Sequence, residues 1–116
     1  MNQDIEYMMK IYDTYKYDWM GDEIKNPSNL TRHHIIKREK GGKDVISNYA
    51  LLTDNSHQLI HYLEIKDHNS YINLNELFLE LNRSNMPPTS EYEDEVKRII
   101  KKVKKDIKNS KRKRKK

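Results

Sequence analysis

Five side chains in this sequence have the types and spacing to hold a divalent metal ion and activate a water: His33, His34, Asn48, His57 and His61. Thirteen residues separate His34 from Asn48, eight separate Asn48 from His57, and three separate His57 from His61, with a Gly41-Gly42 turn after the histidine pair. His57 and His61 are four apart, which on a helix stacks them one turn apart on one face, close enough to share one metal. His33 offers a third nitrogen. Three protein ligands with an open position describe a catalytic rather than a structural metal, because water and a phosphate oxygen can then enter. His33 and His34 are neighbours near a strand end, so their side chains diverge. One can bind metal while the other faces a water, and a neutral imidazole takes a proton from water near neutral pH. Asn48 can tie its own loop to the backbone of His34 and fix the aim of the imidazole, the kind of support that metal sites require of their surroundings. A metal there would stabilise charge building on a phosphate and on a leaving 3′ oxygen.

Bringing these residues together takes a hairpin followed by a helix, and the local signals predict that order. Leu30 to Ile36 reads as a strand, Lys40-Gly41-Gly42-Lys43 as a turn, and Asn48 to Leu52 as a second strand. Asp54 or Asn55 is the expected N-cap of a helix reaching about Lys66. Upstream, Ile5, Met8 or Met9, Tyr12, Tyr15 and Trp19 recur at helical spacing, predicting a helix over 3–20 that ends at Gly21. Trp19 with Tyr7, Tyr12, Tyr15 and Tyr17 then forms the packing face of that helix, stacking on bases being the other use of such rings. Asn26-Pro27-Ser28-Asn29 is a loop. Downstream, Asn69-Ser70 separates a helix with Ile72, Leu74, Leu77, Leu79 and Leu81 as its apolar positions, and Met86-Pro87-Pro88 breaks the chain. Ser90 opens a capping box with Glu93, and Val96, Ile99, Ile100, Val103 and Ile107 mark the stripe of a last helix. The fold class expected is α+β, with a domain over 1–108 and a basic tail over 109–116 that is disordered on its own. His68, far along the helix from His57, reads as a surface residue or cap.

Composition narrows the partners. The 116 residues are 34% hydrophobic and 35% charged, so the core is small and a metal would add to its stability. There is no cysteine, which excludes disulfides and a cysteine-built zinc ribbon. No apolar run approaches the roughly 20 residues that span a bilayer, and the acidic N-terminus does not read as a secretion signal. The net charge of +5 hides a split: residues 97–116 carry 13 of the 23 Lys and Arg against one acid. The remaining body is acidic except for a basic island, Arg32, Lys37, Arg38, Lys40 and Lys43. Basic charge beside the histidines and in the tail, where Lys111, Arg112, Lys113 and Arg114 lie, suits a polyanion such as nucleic acid. Under the plainer alternative these are solvated surface charges. The tail would add affinity without sequence preference and make it steeply salt-dependent. It also suits a nuclear localisation signal if the host is eukaryotic.

His33-His34-Ile35-Ile36, Gly41-Gly42, Asn48-Tyr49-Ala50-Leu51-Leu52, His57 and His61 together resemble the HNH endonuclease motif, the ββα-metal (His-Me) finger. The His-His opening and the two helical histidines are similar to colicin-type DNase domains and to small HNH proteins of bacteria and phages. The resemblance covers residues 31–66. It implies a DNA endonuclease with His34 as general base, His33, His57 and His61 as ligands of one divalent metal, and Asn48 as the constraining asparagine. It also implies products with 5′-phosphate and 3′-hydroxyl ends, in a bacterial or phage-infected cytoplasm. Many members have two Cys-x-x-Cys pairs around the finger; here Thr53 and Ser56 stand in the places of the second pair and nothing upstream supplies the first, so no structural zinc is expected. Some members use an aspartate before the base histidine. A histidine there favours zinc, nickel or manganese over magnesium by ligand type. RNA remains an alternative substrate. A non-catalytic module that grips nucleic acid or a protein with the same fold is the alternative of a different class, and metal dependence of cleavage separates the two.

Overall fold

The computed structural model describes residues 2–114, with side chains described to Asn109. Helix α1 (Gln3–Tyr12) starts where the Asn2 side chain accepts from the backbone N–H groups of Asp4 and Ile5. It stops at Asp13, which turns left-handed (φ 51°) and donates its backbone N–H to Met9. The apolar spacing predicts a helix to residue 20. The periodicity continues, but the chain instead makes a loop closed by a Tyr17–Glu23 bridge and a hydrogen bond from Ile24 N to Lys16 O. Trp19 still reaches the core, because its backbone N–H bonds Leu51 O and its indole N–H donates to Thr14 Oγ1. It meets Tyr12 edge-on at 4.8 Å between centroids. Tyr7, Tyr15 and Tyr17 are exposed, so only Tyr12 and Trp19 of the aromatic cluster pack inside.

The loop after α1 is held by one buried carboxylate. Asp18 Oδ1 accepts from the backbone N–H groups of Met20 and Asp22, and Oδ2 accepts from Thr53 N, with the Thr53 hydroxyl beside it. The Thr53 hydroxyl also lies 2.6 Å from Asp22 Oδ2. The first loop is thereby clasped to the start of the next helix, around Thr53 and Ser56. Removing the acceptor leaves several donors without partners in a part-buried place. Asp18→Ala is therefore expected to cost about 2–4 kcal/mol of stability. Urea unfolding reads this directly, and a midpoint equal to wild type would show that the clasp contributes nothing.

Strand β1 (Thr31–His34) pairs antiparallel with β2 (Tyr49–Leu52), opposing His33 to Ala50 and His34 to Tyr49. Both strands are shorter than the sequence predicts, since Leu30 caps a short 3₁₀ turn (Pro27–Asn29) and Ile35-Ile36 leave the sheet for the glycine loop. Helix α2 (Asp54–Lys66) is capped by Thr53, one residue before the expected cap, through Ser56 N to Thr53 Oγ1. Asp67 ends α2 and its side chain caps α3 (His68–Ser84), so the break precedes the expected Asn69-Ser70. His68 opens α3 on the surface, stacked on Tyr71. In α3 the buried apolar residues are Leu74, Phe78 and Leu81, with Leu77 and Leu79 at the margin and Ile72 exposed.

Helix α4 (Ser90–Arg114) follows the Pro87-Pro88 break, and the Thr89 hydroxyl accepts from Tyr92 N at its start. Val96, Ile99 and Val103 are buried on its inner face, with Ile100 and Ile107 packed at the edge. The helical backbone continues past the expected boundary at 109. Lys and Arg are good helix formers, and cations near a C-terminus are favoured by the helix dipole. The side chains of Lys111, Arg112, Lys113 and Arg114 lie outside the described residues. The architecture is α+β: one two-stranded antiparallel sheet and four helices among the described residues, around a core of Met8, Trp19, Leu51, Ile60, Leu74 and Phe78. Among the described residues no helix is long and apolar enough to cross a membrane.

Candidate functional site

The site forms where β1 passes the first two turns of α2. Alternation along β1 sends His33 to the inner face, buried, and His34 to the opposite face, half-buried against Tyr49. The His33 ring meets His57 at 5.8 Å and Phe78 at 5.8 Å, both edge-on. Helical spacing stacks His57 on His61 at 4.8 Å. His57 therefore has a histidine neighbour on each side, His33 and His61, while His34 points elsewhere.

The buried His33 ring and the half-buried His57 ring each have a partner that the sequence does not announce. His33 Nε2 lies 2.9 Å from Asn75 Oδ1 on α3. His57 Nδ1 lies 2.8 Å from Thr31 Oγ1 on β1. Burial pushes the His33 imidazole down to about 4, and the neighbouring histidines add to this while the Asn75 bond opposes it. Burial also lowers His57, with His61 second. Both rings are thus neutral near pH 7, the state in which imidazole binds metals. Among the described residues no three His, Asp or Glu side chains converge closely enough to hold a metal ion. The donor set itself, three clustered imidazoles of which two are neutral by burial, fits a divalent cation of the zinc, nickel or manganese type.

Asn48 does hold the loop, at a point two residues beyond the one expected. Its side chain accepts from Ile36 N and donates to Ile36 O and Lys43 O, while its backbone oxygen accepts from Ile35 N. His34 is thus oriented through Ile35 and Ile36 rather than through its own backbone. Gly42 makes the same loop possible: a Cβ there would fall 1.7 Å from Ile36 O, so any larger residue would push away the carbonyl that Asn48 grips.

His34 is paired with Asp44, which follows the glycines. Its Nε2 lies 2.6 Å from Asp44 Oδ1, and Arg38 Nε donates to the same oxygen at 2.9 Å. The hydrogen bond from His34, and then that from Arg38, hold the Asp44 carboxyl below the usual carboxylate range. Much of the basic island is engaged in the same way. Lys37 pairs with Glu64 on α2 and with Glu39, and Arg32 lies over the Tyr49 ring and near Asp4. Lys40 and Lys43 are exposed and make no ion pair among the described residues.

Of the residues missed in the sequence, Asn75 had a signal. It and Asn82 interrupt the apolar face that Leu74, Phe78 and Leu81 define on α3, and buried polar groups need partners. Thr31 and Asp44 had none, because their partners are brought to them by strand pairing and by the glycine loop.

The family model described as HNH endonuclease matches residues 21–63. No curated protein and no solved structure matches the chain. The matched stretch runs from the loop clasped by Asp18 through both strands to the third turn of α2 and contains His33, His34, Asn48, His57 and His61, and over these residues the chain is similar to the HNH endonuclease family.

Proposed function

We propose that this chain is a metal-dependent endonuclease hydrolysing phosphodiester bonds in DNA, with residues 31–66 as a ββα-metal finger inside a domain spanning 1–108. One observation supports the reading: His33 from the hairpin packs against His57 of the following helix, and His57 stacks on His61, inside the stretch that matches the family. These three residues would hold the cation. When bound it supplies positive charge beside the phosphate and the departing 3′ oxygen.

The chain's own residues do the rest. His34 takes the proton from the attacking water. Asp44 accepts from Nε2–H, which leaves Nδ1 as the basic nitrogen and keeps the ring from rotating. Asn48 and Gly42 fix the loop that follows His34, so the imidazole does not wander from its aim. Lys40 and Lys43, with the C-terminal Lys111, Arg112, Lys113 and Arg114, bind the DNA backbone without reading sequence. Lys37, Arg38 and Arg32 can join them only by exchanging their present acidic partners for phosphate. The products carry 5′-phosphate and 3′-hydroxyl ends, and the setting is the cytoplasm of a bacterial or phage-infected cell.

Plasmid cleavage by protein stripped of metal and then given Mn²⁺, Ni²⁺, Mg²⁺ or Zn²⁺ tests the proposal. Cleavage is expected only after metal is added. DNA retardation that survives chelator, with no cutting under any metal, would replace the nuclease by a binding module.

A further inference from the structure

The ring nitrogens of His33 and His57 are not equivalent, and donor accounting says which one is free. The Thr31 hydroxyl has one proton. It lies 2.9 Å from Leu52 O, which can only accept, so that proton is committed there. Toward His57 the hydroxyl oxygen is therefore the acceptor, and Nδ1 of His57 carries the hydrogen. Asn75 presents its Oδ1 to His33, and a carboxamide oxygen only accepts, so Nε2 of His33 carries the hydrogen. A neutral imidazole has one bare nitrogen. That nitrogen is Nδ1 in His33 and Nε2 in His57.

We propose that Asn75 and Thr31 are positioning residues that fix these two tautomers, and so decide that a divalent cation is met by Nδ1 of His33 and Nε2 of His57. The inference rests on the reading above that these rings hold the cation. It adds α3, which lies wholly outside the family match, to the metal site. Hydrogen bonds of this kind orient a ligating ring and keep its lone pair available without a search among rotamers and tautomers. Both bonds are anchored in rigid surroundings. Asn75 is buried one helical turn from Phe78, whose ring packs on His33, and Thr31 is held in the strand ladder opposite Leu52. His61 has no equivalent: its Nδ1 is 4.0 Å from Glu64, beyond hydrogen-bond reach, and its side chain is 63% exposed. Two ligands are therefore preset and the third closes on the ion.

Long-range ¹H–¹⁵N spectra of the histidine side chains, with and without Zn²⁺, read the protonated nitrogen of each ring. Zn²⁺ affinity is measured in parallel by competition with a chromophoric chelator. In wild type the expected metal-free tautomers are Nε2–H for His33 and Nδ1–H for His57, and zinc is expected to perturb the opposite nitrogen in each. Asn75→Ala and Thr31→Val are each expected to scramble the tautomer of their own histidine alone and to weaken zinc binding about 10–100-fold. Asn75→Asp and Thr31→Ser keep the acceptor, and are expected to retain the tautomer and to bind zinc at least within a few-fold of wild type. These conservative variants separate positioning from damage to the fold. Variants that bind zinc as tightly as wild type, or zinc perturbing the nitrogen that carried hydrogen, would overturn the assignment and leave the nuclease reading standing. Failure of wild type to bind zinc, nickel or manganese at all would overturn both.

Discussion

Replacing His34 with alanine is expected to slow metal-dependent DNA cleavage by about 10²–10⁴-fold, the usual contribution of a positioned general base. DNA affinity should change little, because backbone affinity rests on Lys and Arg charge that this substitution leaves in place. Zinc affinity should also hold, since His33, His57 and His61 are untouched. Rate measured under single-turnover conditions, with retardation and zinc titration beside it, separates these effects. Asp44→Asn is the informative companion. The pair at 2.6 Å would lose its charge and the ring its fixed orientation, so the rate should fall by less than in His34→Ala but in the same direction. Unaltered cleavage by His34→Ala would remove the base from the mechanism and return the proton to another group.

The metal-free protein should lose stability as pH falls from about 6.5 to about 4, and His33 sets most of that loss. Its imidazole is lowered from 6.5 to about 4, chiefly by burial. In that interval the unfolded chain binds a proton that the folded chain refuses. Stability therefore rises with pH across the window, is fully present above the ordinary histidine value, and disappears as pH approaches the folded one. The difference corresponds to about 3 kcal/mol, a large part of what a domain of this size has to spare. His57 is lowered for the same reason and acts in the same direction. Asp44, whose carboxyl is also lowered, adds a loss only at more acid pH, below the ordinary carboxylate value of 3.8. Urea midpoints of chelator-treated protein between pH 7.5 and 4.5 test this. A midpoint independent of pH, or the same slope in a His33→Gln variant, would show that His33 is not the group responsible. Bound metal should delay the acid transition, because a cation competes with protons for the same nitrogens.

The two-residue shift in the grip of Asn48 illustrates what the sequence could convey. The sequence reading placed Asn48 at the start of the second strand with a tie to the backbone of His34, and the family resemblance gave it a constraining role. Which backbone atoms it meets depends on how Gly41 and Gly42 turn, and Gly42 passes so close to Ile36 that Asn48 bonds that residue. The first helix shows the reverse failure. Apolar periodicity ran on through Trp19, but Asp13 left the helix and the buried Asp18 carboxylate organised a loop. Periodicity reports which residues are buried, not which backbone carries them there, and Trp19 is buried either way.

By itself the sequence determined the order of hairpin and helix, the neighbouring placement of His33, His57 and His61, the separate placement of His34, and the separation of an acidic body from a basic end. These follow from local rules: two-residue alternation in a strand, four-residue recurrence in a helix, glycines at a turn, and charge counting. The tertiary structure decided the partners. Asn75 comes to His33 from forty-two residues away, Thr31 to His57 from the first strand, Asp44 to His34 around the glycine loop, and Glu64 to Lys37 from the helix. The physical reason is that a hydrogen bond acts over about 3 Å whatever the distance along the chain. Such contacts exist only once packing has fixed which elements are neighbours.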